Sequence, residues 1–159
     1  MPMSTTRSAW ENKFREPSVN ELFEHYSNKQ VAAVAEAARA RLTEFANVKE
    51  SIQWLGMPWR WTLVYNCDFD TTRAWAYLVL DPAKVQLCLP ITTAMVQTLP
   101  LRRLKKNIRD GIVYSKVVAG TYWPTWEVPS KTSLDDLIDL AARKHKYIHL
   151  GSETVAGLS

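Results

Sequence analysis

Tryptophan is the side chain whose number and spacing in this chain most invite a chemical role. Trp54, Trp59, Trp61, Trp75, Trp123 and Trp126 are six of the seven in 159 residues. Each offers a large apolar plane and one indole N–H that seeks an acceptor. From Trp59 to Asn66 the chain alternates as a strand does. That pattern predicts Trp59, Trp61, Leu63 and Tyr65 on one face, with Arg60, Thr62, Val64 and Asn66 on the other. Two readings follow. The rings are a tryptophan-rich core, or Trp59 and Trp61, with Trp123 and Trp126 of a later strand, line a pocket for a flat or apolar small molecule, with Arg60 as its polar anchor. Six indoles are many for a core of this size, so at least one or two are expected to reach solvent.

A second constellation is basic. Arg102, Arg103, Lys105, Lys106 and Arg109 crowd one predicted helix over 101–109, and Arg102, Arg103 and Lys106 are the candidates for contacting nucleic-acid phosphates. The alternative is a solvated helix face whose stripe of Leu101, Leu104 and Ile108 turns inward. No nucleic-acid signature motif accompanies it. His145 and His149, four residues apart, share a face of any helix that contains both. No third ligand stands at a matching spacing, so no metal site is assigned. His25 has no neighbouring nucleophile, and the glycines form no phosphate loop. Nothing argues for an enzyme or a cofactor.

The elements that must position these residues are legible in outline. Residues 1–17 lack periodicity and are expected to be a flexible arm. Ser18 with Glu21 forms a capping-box pattern, and Asn28 caps the next helix. From Lys29 to Val48, Val31, Val34, Ala35, Ala38, Leu42 and Phe45 recur at helical spacing. Strands follow: a short piece at 52–55, then Trp59–Asn66, Ala74–Leu80 and Val85–Leu89, joined by turns at 68–72 and 81–83, an antiparallel meander. Thr92 or Thr93 opens a short helix. Pro100 and Gly111 bracket the basic one. Two more strands are predicted over Ile112–Ala119 and Tyr122–Val128. Ser133 with Asp136 starts a closing helix, and 151–159 is expected to be a disordered tail.

Composition narrows the class. Hydrophobic residues at 47% with 23% charged residues describe a globular chain. No apolar run approaches the roughly 20 residues of a membrane helix, and the first ten residues lack a secretory core. Cys67 and Cys88 lie in strand-like runs without metal spacing and read as free thiols, which fits a cytoplasmic protein. A net charge of +4 permits an anionic partner without demanding one.

The segment Glu50, Ser51, Ile52, Gln53, Trp54, Leu55, Gly56, Met57, Pro58 resembles the YdhG-like domains of bacteria, in which an aromatic-Gly-Met-Pro step leads into a sheet. The turn Asp81-Pro82-Ala83-Lys84 and the run Leu134 to Ile138 sit where that family has a sheet turn and its final helix. The likeness spans residues 30 to 147. This chain has Trp54 in place of the usual tyrosine and an additional Leu55. The resemblance implies an α+β domain of largely uncharacterised role, some members being described as iron chaperones. The long helix here sets Glu36 and Glu44 against Arg39 and Arg41, which does not make the acidic ridge that iron would need. The expectation is one α+β domain over 18–150, N-terminal helices and a C-terminal helix on a five- or six-stranded, mainly antiparallel sheet. Its expected role is that of a non-catalytic module binding a small molecule or a protein. An iron-binding chaperone and a nucleic-acid-associated protein are the alternatives.

Overall fold

The computed structural model describes residues 8–70 and 73–158, over 152–158 as backbone alone. Two helices come first, the short α1 (Val19–Glu24) and the longer α2 (Lys29–Thr43). Ser18 and Glu21 close the expected capping box on α1, and the Asn28 side chain accepts from the N–H groups of Gln30 and Val31 at the start of α2. Strands β1 (Val48–Trp54), β2 (Trp61–Cys67), β3 (Ala76–Leu80) and β4 (Val85–Cys88) then form the antiparallel meander. Strand β5 (Ile91–Thr92) leads into α3 (Thr93–Thr98), capped by Thr92. A 3-10 turn (Leu101–Arg103) and α4 (Lys106–Val113) follow. Strands β6 (Val117–Val118), β7 (Thr121–Tyr122) and β8 (Thr125–Glu127) lead to α5 (Lys131–Leu158).

The fold is α+β, with helices packed on an antiparallel sheet of order β1-β2-β3-β4-β8; a second sheet, β5-β7-β6, stands apart from it. The late strands therefore divide differently from the sequence pattern. Ile112 belongs to α4, and β7 and β8 enter different sheets, because Trp123 and Pro124 interrupt the pairing between them. Proline lacks the N–H that an unbroken ladder would require. The basic helix expected over 101–109 is likewise split. Leu104 and Lys105 are extended, so Arg102 and Arg103 lie on the 3-10 turn and Lys106 opens α4. Strand β2 begins at Trp61 rather than Trp59. Helix α5 starts one turn early, with the Ser130 hydroxyl accepting from the Ser133 N–H, and continues as helix through the expected tail to Leu158.

Strand alternation puts Glu50, Ile52, Trp54, Trp61, Leu63, Tyr65, Leu78 and Leu87 on one face, as the register confirms. Val34, Ala38 and Leu42 of α2 and Leu134, Leu137 and Ala141 of α5 belong to the same buried core. One polar group inside it is fully provided for. The Tyr65 hydroxyl donates to Glu50 Oε2 at 2.8 Å, and Arg39 donates to both oxygens of the same carboxylate at 3.0 Å. The half-buried Glu50 carboxylate sits at the edge of the core with these partners to replace water.

In the arm expected to be flexible, residues 8–12 pack on the fold, while residues 13–16 are exposed. Trp10 is buried, the Trp61 indole donates to the Asn12 carbonyl at 2.7 Å, and Glu11 pairs with Arg60 at 3.2 Å. Residues 1–7 lie outside the described residues, as do 71 and 72 of the expected turn.

Gly111 lies inside α4 rather than past its end, and the reason is Trp126. The Trp126 indole donates to the Asn107 carbonyl at 3.0 Å and lies flush against the Gly111 backbone. A Cβ at Gly111 would fall inside that ring. Trp126 is thereby a clamp between β8 and α4, buried to 8%. Gly111→Ala should therefore cost about 1–3 kcal/mol of stability in urea denaturation, the usual penalty of overpacking, despite alanine's better helix propensity. Added to Trp126→Leu it should cost clearly less than in the parent. Additive losses would show that the two residues do not meet.

Candidate functional site

The sheet has a second face, and its residues alternate with those of the core. Thr62, Val64, Val79 and Cys88 are buried there, and Tyr77 pairs directly with Val64 and Cys88. Three rings stand in a row across it: Trp59 to Tyr77 at 5.3 Å and Tyr77 to Trp123 at 6.0 Å. Trp59 and Trp61 thus lie on opposite faces, against the expectation from alternation. The cause is local. Arg60 takes a left-handed backbone conformation (φ 62°), its N–H donates to the Gly56 carbonyl and its carbonyl accepts from the Leu55 N–H. That turn resets the phase by which the indoles would have stayed together.

The five residues singled out for ligand binding are accordingly dispersed. Trp59 and Trp123 are joined through Tyr77 on the second face. Trp61 is in the core beside Trp54, at 5.7 Å, and Trp126 clamps α4. Arg60 lies 4.9 Å over the Trp10 ring and pairs with Glu11, which commits it to the N-terminal segment. It borders a separate open hollow of about 400 Å³ with Lys13, Trp54 and Met57. Of the phosphate candidates, Arg102, Arg103 and Lys106 are exposed, while neighbouring Lys105 is occupied by Asp136 at 2.9 Å. His145 and His149 both pack their rings on Phe69, and His145 Nε2 lies 2.7 Å from the Ala46 carbonyl. Among the described residues no group of three ligating side chains could hold a metal ion.

What the structure does assemble is a cleft at the end of the large sheet where β2 leaves, β3 enters and β4 turns off into the small sheet. Its outer part is a groove of about 380 Å³ lined by Tyr77, Trp123, Val118, Thr121, Arg73 and Pro90. Its inner part is a cavity of about 100 Å³, sharing Arg73, Ala74, Pro90 and Thr121 with the groove and closed by Met95, Tyr147 and Lys144. The lining is mostly apolar, with charge at few points: Arg73 shared by groove and cavity, and Asp70 and Lys144 in the cavity.

Lys144 is the unexpected member. It is 7% exposed, the one charged residue among the described ones to be buried, and its ammonium donates to the Trp75 carbonyl at 2.8 Å. The Asp70 carboxylate, which lines the same cavity, favours the charged form of Lys144, but less than burial opposes it. Burial disfavours the charged form and pulls its pKa down to about 7. The same burial raises the thiols of Cys67 and Cys88, both free, to about 11. A signal for Lys144 exists in the sequence. It falls four residues after Leu140 and three after Ala141, on the buried stripe of α5, where a cation is out of place.

No protein-family model, no curated protein and no solved structure matches this chain. No helix among the described residues is long and apolar enough to cross a membrane.

A lysine whose folded pKa lies below its unfolded value penalises the fold while the native chain must carry the charge. That penalty is complete below pH 7 and fades as pH rises toward the ordinary value of about 10.4. Thermal stability should therefore rise between pH 7 and 9, before the raised thiol pKa values begin to act in the opposite sense. The rise should vanish in Lys144→Met. A slope equal in both proteins would place its origin elsewhere.

Proposed function

We propose that this protein is a small-molecule-binding module whose ligand occupies the cleft between the two sheets, its flat apolar part on Tyr77 and Trp123 and its anionic part toward Arg73 and Lys144. The observation that carries this reading is the continuity of an aromatic groove with a cavity whose lining includes a buried lysine. Desolvated cations attract an anion far more strongly than exposed ones do, and aromatic walls supply area without much loss of side-chain freedom. Concave, mainly apolar sites with a few convergent polar groups are the usual form of ligand pockets.

Kinship with YdhG-like domains remains part of this proposal. It rests on the Gly56-Met57-Pro58 step, which forms the turn between β1 and β2. Iron carriage gains no support from the described side chains. Nucleic-acid binding has in its favour the exposed Arg102, Arg103 and Lys106, but they no longer share a continuous helix face, and the aromatic cleft lies elsewhere.

An anionic aromatic dye, anilinonaphthalenesulfonate, is a suitable first probe for the groove. It should bind saturably at one site with quenching of tryptophan emission. Trp123→Ala should weaken it about tenfold, the loss of one stacked ring and its buried area. Arg60→Ala, outside the cleft, should leave it unchanged. Unsaturable binding, or equal affinity in Trp123→Ala, would remove the cleft from consideration.

A further inference from the structure

Accepting the cleft as a ligand site, we propose that its ligand carries an aldehyde or ketone beside a carboxylate, and that Lys144 captures it as a reversible imine. Lysine is a costly residue to bury for packing alone, and methionine would fill the same volume without a charge. What lysine adds is an amine. In this chain that amine belongs to a side chain that lines a small cavity, and it donates a hydrogen bond to the Trp75 carbonyl. About 100 Å³ suits a two- or three-carbon 2-oxo acid. The wall supplies the rest of the recognition. Arg73 at the shared rim of groove and cavity can pair with the carboxylate, and Thr92 and Thr121 offer hydroxyls to the carbonyl oxygen.

The chemistry balances without any further reagent. The free amine nitrogen forms a bond to the carbonyl carbon, giving a carbinolamine. Loss of its hydroxyl as water, with the nitrogen proton, leaves the C=N bond; hydrolysis runs the same steps backward. The nucleophile must be the neutral amine. At pH 7 about half of a lysine titrating near 7 is in that form, against fewer than about one in a thousand of an ordinary surface lysine. The apolar cavity also limits the water that would return the imine to its components.

The test uses the full chain, glyoxylate as the probe and cyanoborohydride to reduce any imine to a stable carboxymethyl-lysine. At pH 7 and limiting glyoxylate, peptide mapping should find the modification at Lys144 at least about tenfold ahead of every other lysine, and its rate should saturate with glyoxylate. Glycolate, which has the carboxylate but no carbonyl, should slow it by competition. Lys144→Met should lose the adduct while unfolding cooperatively on heating as the parent does, which shows that the variant folds. Modification spread evenly over surface lysines would overturn the proposal. If the dye still binds in the groove, the small-molecule reading survives and only the imine falls; if neither dye nor glyoxylate binds, both fall together.

Discussion

The hydrogen bond from Lys144 to the Trp75 carbonyl is the buried polar contact on which the cavity side of the molecule depends. It joins the last helix to the point where β3 enters the sheet, across 69 residues of chain. Trp75 is itself buried, its N–H bonded to the Tyr65 carbonyl at 2.7 Å and its ring against Phe45 at 4.8 Å. The segment is thus held from the sheet, from the end of α2 and from α5 at once. A buried ammonium tolerates that position only because its remaining surroundings let it shed the proton cheaply. Stability and reactivity are coupled through one group, since the burial that penalises the charge is also what frees the amine.

The aromatic residues divide their work along the same sheet. Trp61 and Trp126 spend their N–H groups on backbone carbonyls and hold the N-terminal segment and α4 in place. Trp59, Tyr77 and Trp123 leave their faces toward the opposite side, in a row that ends at the cleft. Indoles bonded through nitrogen act as struts, and those in ring-to-ring contact make a platform. One residue type at high density therefore serves both as core and as surface, which is why the choice between core and pocket has no single answer for this chain.

Much of the fold is legible in the amino-acid sequence. The helix that starts at Lys29 follows from apolar spacing, although it ends at Thr43 and Val48, expected as its end, opens β1 instead; α1 and α3 follow from their caps, and the meander from alternation and turn residues. The site is less so, for identifiable reasons. Arg60 adopts a left-handed conformation that no local rule requires of arginine, and this one dihedral separates Trp59 from Trp61. Gly111 resembles a helix stop but is a contact surface for Trp126, a relation that exists only once β8 and α4 are together. The split of β7 from β8 depends on which sheet each strand can reach, a tertiary matter that a run of strand-forming residues does not record. Lys144 stands on the apolar stripe of α5 between the exposed cations Arg143 and Lys146, so charge alone does not mark it as the buried one.

Burial lowers the pKa of the Lys144 amine, whose side chain lines the cavity, to about 7. With lysine labelled at the ε carbon, a magnetic-resonance pH titration of the folded protein observes each amine directly. One resonance, absent from Lys144→Met, should titrate near pH 7, well below the others, as burial requires. If every lysine titrates at its ordinary value near 10.4, Lys144 is solvated and paired like any surface cation, and the cleft has no nucleophile to offer.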